Sequence, residues 1–133
     1  MIIKEGSIIP NVGIGSYLLD ITKKELLDII GNNYKETMRK RDSIISIENA
    51  KFWITEDGKI DQIGVTKGFH GRYKNVIGIG SILAEVKERI GNYVEVGDTY
   101  EMENEKGICF ELEDVDDWEE LTAPIEFIYV FRV

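Results

Sequence analysis

The stretch from Glu111 to Pro124, ELEDVDDWEELTAP, concentrates chemically active side chains in one place. Seven of its fourteen residues are carboxylates and none is basic. Three chemical roles fit this acidic stretch (residues 111–124): binding of a divalent cation, paired acid and base catalysis as in glycoside hydrolysis, and attraction of a basic protein. A fourth interpretation is a solvated, self-repelling hairpin tip without a ligand.

The order of residues within the acidic stretch favours the last two interpretations. A calcium loop needs regularly spaced oxygen ligands and a glycine at its sharp turn, and 114–120 has neither. Catalytic carboxylates need a defined cleft and a raised pKa, which a flexible loop does not supply. Trp118 stands among the charges, and an exposed aromatic residue there is typical of an interface anchor. The predicted partner-binding residues are Glu111, Glu113, Asp114, Asp116, Asp117, Trp118, Glu119 and Glu120, with no metal or cofactor.

Other residues whose types could bind a ligand or catalyse a reaction lie in less specific motifs. Gly13-Ile14-Gly15 and Gly78-Ile79-Gly80 lack the longer glycine pattern of nucleotide-binding loops, so a structural role is predicted for both. His70, the single histidine, and Cys109, in an apolar run, are residue types of a nucleophilic pair, but nothing in the sequence places them together. The basic, aromatic segment 67–75 either contacts a partner or is simply solvated. The secondary partner-binding candidates are His70, Arg72 and Tyr73.

The distribution of charge narrows the classes of partner. The net charge is −9, and residues 95–120 contain twelve acids and one base. Such a surface repels phosphate backbones, which argues against direct nucleic-acid binding. The chain has no apolar run long enough for a membrane span, its N-terminus lacks the apolar core of a signal peptide, and one cysteine rules out an internal disulfide. We therefore expect a cytoplasmic protein that is a monomer when free.

The chain repeats itself in short, ordered motifs. VGIGS at 12–16 recurs as IGIGS at 77–81, IIGN recurs as RIGN, and ENAK recurs as ENEK. These matches predict one domain built from two repeats, at about 10–66 and 76–133, joined by a Gly-rich basic linker at 67–75.

Each repeat is predicted to contain one short helix followed by strands. Thr22 and Glu25 form a capping box for the first helix, which ends at Gly31, and Ser81 and Gly91 are expected to bound the second. The predicted strands are 44–47, 51–55, 59–65 with a bulge near Gly64, 99–103, 107–112 and 125–133, the last being central or covered on both faces. The acidic stretch takes the place that the tight turn Glu56-Asp57-Gly58 has in the first repeat.

The predicted fold class is therefore α+β, with the helices packed on one face of an antiparallel sheet of about six to eight strands. The tandem unit, G-I-G, then T-K-x-E with an apolar helix ending in I-G, then an aromatic strand and E-D-G, resembles the β-lactamase-inhibitor-like α/β repeats. The chain is also similar in size, acidity and hairpin insertion to bacterial toxin-immunity proteins of the contact-dependent inhibition or polymorphic toxin type.

The resemblance implies a non-enzymatic protein-binding inhibitor that neutralises a cognate toxin domain, a basic nuclease being the first expectation, by occluding its active site. Binding through an open sheet edge is a second route. The alternatives are a small carboxylate- or metal-dependent hydrolase and a repeat scaffold with an unrelated protein partner.

Overall fold

The computed structural model describes residues 3–133, which form an α+β fold that is mostly antiparallel sheet. Its two helices are α1 (Lys23–Ile30) and α2 (Leu83–Arg89). The strands are β1 (Ile8–Ile9), β2 (Gly13–Ile14), β3 (Tyr17–Leu18), β4 (Lys35–Met38), β5 (Ser43–Ile47), β6 (Ala50–Ile54), β7 (Ile60–Val65), β8 (Tyr93–Val96), β9 (Thr99–Met102), β10 (Ile108–Leu112) and β11 (Ile125–Phe131).

The larger sheet has eight strands in the order β4-β5-β6-β7-β11-β10-β9-β8, and every neighbouring pair is antiparallel. Its centre is the pair β7 and β11, where Val65 lies opposite Ile128 and Ile63 opposite Val130. The predicted central position of the last strand is confirmed. Strands β4 and β8 are the two outer strands of this sheet.

The core is formed by apolar side chains from the larger sheet and from both helices. Strand residues such as Phe52, Ile63 and Phe110 belong to the same buried cluster as Leu26 of α1 and Val86 of α2. Burial alternates along the strands: in β11, Ile128 and Val130 are buried, while Tyr129 between them is partly exposed. Among residues 3–133, no helix combines the length and the apolar character that a membrane crossing requires.

The segment 67–75 is tied to the rest of the fold by two buried side chains, while most of its other residues are exposed. Phe69 and Tyr73 are buried, and the backbone of this segment bonds to the N-terminal region. The N–H of His70 donates to the Lys4 carbonyl at 2.7 Å, and Ile8 N–H donates to the Arg72 carbonyl at 3.4 Å. The small sheet β1-β2-β3 was not predicted, because strands of two residues leave no periodic pattern.

The two helices begin differently. At α1 the capping box is confirmed: the Thr22 hydroxyl accepts from Glu25 N–H at 3.1 Å, and the Glu25 carboxylate accepts from Thr22 N–H at 3.1 Å. The prediction that Ser81 caps α2 is wrong, because the helix begins one residue later, with Ile82 as its N-cap and no side-chain cap. The Ser81 hydroxyl instead accepts from Gly78 N–H at 3.0 Å.

The bulge expected near Gly64 lies elsewhere. The register between β6 and β7 shifts between Trp53 and Ile54, while Gly64 pairs regularly with Lys51. A Cβ atom at Gly64 would stand 2.7 Å from the Tyr129 ring, so this glycine makes room for an aromatic side chain on the next strand.

Candidate functional site

The acidic stretch is the connection between β10 and β11, as predicted, and the backbone defines its conformation. The N–H of Glu113 donates to the Pro124 carbonyl at 2.8 Å and extends the hairpin beyond Leu112. Inside the connection, the Glu119 carbonyl accepts from Ala123 N–H at 2.9 Å, and Ala123 is buried. The connection is therefore a folded turn that closes on itself.

The start of α2 holds the second half of this connection. The N–H of Ala84 in the first turn donates to the Leu121 carbonyl at 3.2 Å, and Ile125 N–H donates to the Ser81 carbonyl at 2.8 Å. Gly80 N–H donates to the Ile125 carbonyl at 2.9 Å. The acidic stretch is thus fixed by the sheet at one side and by α2 at the other.

Two of its carboxylates are held by tyrosines. Glu111 accepts a hydrogen bond from the Tyr129 hydroxyl at 2.6 Å, and Glu120 accepts one from the Tyr93 hydroxyl at 3.1 Å. Burial, and then the bond to the carboxylate, raises the pKa of both tyrosines above its ordinary value. Burial and the charge of Glu120 also raise the pKa of Tyr100 to about 12. Glu111 and Glu120 are therefore each tied to a strand of the larger sheet, β11 and β8 respectively.

The remaining carboxylates of the stretch point into solvent. In the described part of the chain they have no hydrogen bond or ion pair from another side chain, and all are exposed. Trp118 and Leu121 accompany them with 44% and 45% of their surfaces exposed. The geometry combines unpaired negative charge with two accessible apolar groups. The exposed acids are Glu113, Asp114, Asp116, Asp117 and Glu119.

The three secondary partner-binding candidates, His70, Arg72 and Tyr73, differ in exposure and in their contacts. His70 is exposed and lines a cavity of about 360 Å³, which Glu113 of the acidic stretch also lines. Arg72 is exposed, and its guanidinium donates to the Val76 carbonyl at 2.7 Å. The prediction that Tyr73 binds a partner is wrong. Its side chain is 1% exposed and its hydroxyl donates to Glu105, so it belongs to the core and offers no surface to a partner.

Cys109 lies away from the cavity that His70 lines. It is buried, and burial, followed by the charges of Glu101 and Glu111, raises its thiol pKa to about 11. A neutral thiol at physiological pH is a poor nucleophile. Over residues 3–133, no three His, Cys, Asp or Glu side chains come together in an arrangement that would hold a metal ion.

Sequence reasoning missed a second group of accessible side chains, an aromatic face on the larger sheet. Trp53, Phe127, Tyr129 and Phe131 are all partly exposed and alternate with core residues along β6 and β11. The rings of Trp53 and Tyr129 pack edge to face with centroids 5.9 Å apart, and the Tyr129 ring stacks on Phe127 with centroids 5.6 Å apart. The available signal was the spacing of 127, 129 and 131, which places all three on one side of a strand.

No protein family, curated protein or solved structure matches the chain. The resemblance to immunity proteins and to β-lactamase-inhibitor-like repeats therefore remains a hypothesis based on sequence motifs.

Proposed function

We propose that this chain is a cytoplasmic, non-enzymatic inhibitor that binds a basic protein domain through the acidic stretch. The expected class of partner is a toxin that acts on a polyanion, a nuclease being the first candidate. Such an enzyme presents a basic cleft to its substrate, and the exposed carboxylates would fill the positions of the substrate's phosphates.

The observation that carries this proposal is the combination of fixed backbone and unpaired charge. The β10–β11 connection is held by Glu113–Pro124 and Ala84–Leu121 backbone bonds, yet its central carboxylates have no partner within residues 3–133. A preorganised loop loses less conformational entropy when it binds, which raises affinity.

The contributions of charge and apolar surface differ. Long-range attraction between the acidic stretch and a basic cleft accelerates encounter, and salt weakens it. Residence in the complex depends more on desolvated contacts, for which Trp118 and Leu121 are the accessible groups. The proposal therefore assigns the association rate to the carboxylates and the dissociation rate mainly to Trp118.

The first experiment is a pull-down from the native cell with the full chain immobilised, at low and then high salt. The expected result is one basic protein, retained at low salt and released at high salt. The test variant carries Asp114→Asn, Asp116→Asn, Asp117→Asn and Glu119→Gln. Asn is also suited to position 117, where the backbone φ is +55°.

The matched control removes the same number of charges from other exposed sites. It carries Asp28→Asn, Glu56→Gln, Glu88→Gln and Asp98→Asn, all outside the acidic stretch. Loss of the partner in the test variant alone supports the proposal. Equal loss in both variants would assign the effect to net charge, and equal retention would remove the acidic stretch from the interface.

A second mode of binding has its own supporting observation. Strand β8 pairs only with β9, so its other edge is unpaired in the described sheet, and Val94 and Val96 are 40% and 48% exposed. A partner strand added there would bond to the β8 backbone. The hydrogen bond from Glu103 N–H to the Asn92 carbonyl sets the alternation of this ladder, so the N–H of Glu95 points away from β9. Replacing Glu95 with Pro would block such pairing while leaving the acidic stretch unchanged.

We further infer that the domain is a tandem repeat with both helices on one face of the larger sheet. Support comes from the strand order, in which α1 precedes β4–β7, α2 precedes β8–β11, and the two sets meet at β7 and β11. The start of α1 also bonds to its hairpin, Lys23 N–H to the Gly58 carbonyl at 2.9 Å, as the start of α2 bonds to Leu121.

A further inference from the structure

We propose that the aromatic face contains a binding site for an arginine side chain of a protein partner. The site is a shallow cavity of about 410 Å³, within the roughly 300–1,000 Å³ usual for small-ligand sites. It shares Glu111 with the acidic stretch but lies on the face of the sheet, and its test requires no toxin. Its lining residues include Trp53, Tyr129, Phe131, Glu101, Glu111 and Gln62.

The register of the sheet brings these residues together from five strands. Trp53 lies opposite Gln62, which lies opposite Phe131, so all three share a face. Tyr129 lies opposite Cys109, and Cys109 lies opposite Glu101. Because directly paired residues of antiparallel strands point to the same side, the rings and the carboxylates surround one cavity.

The charge of the lining selects a cation. The lining contains two carboxylates, Glu101 and Glu111, and no basic side chain. These two residues are diagonal neighbours across β9 and β10, with backbones roughly 7–8 Å apart by sheet geometry, so both side chains can approach one cation. The Tyr129 hydroxyl fixes the Glu111 carboxylate at 2.6 Å, which holds one acceptor in place before a ligand arrives.

The rings favour a planar cation. Trp53 and Tyr129 are partly exposed and lie edge to face, so the cavity presents aromatic surface beside the carboxylates. Cations bind the faces of aromatic rings, and the Lys51 ammonium already lies 5.8 Å from the Phe127 centroid on this face. A guanidinium can stack on a ring and bond to a carboxylate at once, which an ammonium does less well. The chemistry therefore points to arginine.

The test uses the full chain carrying Trp118→Phe, so that Trp53 is the only tryptophan. The probe is the peptide N-acetyl-Gly-Arg-Gly-amide, titrated into the millimolar range while Trp53 fluorescence is followed. The citrulline peptide, which keeps the shape but loses the charge, is the ligand control. We expect the arginine peptide to bind at least tenfold more tightly than the citrulline peptide.

Variants then assign the contacts. Glu111→Gln and Glu101→Gln should each weaken arginine binding about tenfold, whereas Glu88→Gln on α2 removes the same charge without effect. Tyr129→Phe keeps the ring but frees Glu111, and should weaken binding severalfold. Equal binding of the two peptides, no change in Trp53 fluorescence, or full binding by Glu111→Gln would overturn the proposal. Tighter binding of a lysine peptide or of tetramethylammonium would overturn the choice of arginine.

Discussion

Two hairpin connections occupy matching places in the larger sheet and differ greatly. The β6–β7 connection is the tight turn around Glu56-Asp57-Gly58, closed by Gly58 N–H donating to the Thr55 carbonyl at 2.9 Å. The β10–β11 connection spans residues 113–124 and is acidic, with Trp118 and Leu121 exposed. A short turn is enough to join such strands, so the longer connection is not needed to form the hairpin. Its extra residues are where we place the function.

The largest effect is expected when the long connection is made like the short one. Replacing residues 114–123 with Glu-Asp-Gly should reduce partner binding more than about 100-fold, because Trp118 is lost and the five carboxylates are cut to two. Surface plasmon resonance with the captured partner measures this change. Circular dichroism checks that the sheet persists, and the four amide substitutions provide a full-length comparison in case the shortened chain unfolds.

Removing Trp118 alone should have the next largest effect. An interface anchor typically contributes about 2 kcal/mol or more, so Trp118→Ala should weaken binding about 30-fold, mainly through faster dissociation. Leu121→Ala, which removes a neighbouring group with similar exposure, should cost less. A dissociation rate unchanged in Trp118→Ala would show that this side chain lies outside the interface.

The short turn should respond through stability instead of binding. Gly58 has a φ of +81°, which L-residues adopt at a cost, so Gly58→Ala should lower the free energy of unfolding by about 1 kcal/mol. Partner affinity should stay constant. Asp117 in the long connection has a φ of +55°, which glycine adopts without strain, so Asp117→Gly should not be destabilising through backbone strain. Urea denaturation of both variants tests this contrast.

A smaller effect is expected from the Tyr93–Glu120 bond. Tyr93→Phe should lower stability by less than about 1 kcal/mol, because the bond is partly exposed, and should loosen one end of the acidic stretch. Partner affinity should fall only a few-fold. Glu120→Gln keeps an acceptor for the tyrosine and should therefore have the milder effect on stability, as urea denaturation at neutral pH would reveal.

Alkaline pH should lower the free energy of unfolding through the ionisation of Tyr100, whose pKa is raised by burial and by the charge of Glu120. The folded pKa of Tyr100 is raised from 10.0 to about 12, so the folded state holds this proton more tightly than the unfolded state. The resulting stabilisation is complete below pH 10 and is lost as the pH rises through about 12. Stability curves from pH 8 to pH 12 should therefore decline more gently for Tyr100→Phe than for the wild type. Parallel curves would contradict this assignment.

Local patterns in the sequence predicted much of the fold. The Thr22–Glu25 capping box, the Glu56–Gly58 turn and most strands of the larger sheet could be predicted because each has a local signal. The small sheet could not, since its strands contain two residues each. Ser81 misled the prediction because a hydroxyl before an apolar run looks the same whether it caps the helix or bonds to Gly78.

The candidate site was predicted only in part. The acidic stretch is a concentrated signal, and its place as a hairpin connection followed from the turn in the first half. Tyr73 looked accessible because glycines and charges flank it, but long-range packing buries it. The aromatic face depends on which side of β11 lacks a covering layer, and a single sequence does not state that. The role of Gly64, which leaves room for the Tyr129 ring, likewise depends on a contact between two strands that are distant in the sequence.

The most direct test of the central claim is the association rate of the partner as a function of salt. Stopped-flow measurements would compare the wild type with the four-fold amide variant at positions 114, 116, 117 and 119. We predict that the wild-type rate falls steeply as salt rises, and that the variant is slow and nearly independent of salt, as electrostatic steering requires. Equal rates and equal salt dependence in both proteins would contradict the claim that the acidic stretch guides and binds a basic partner.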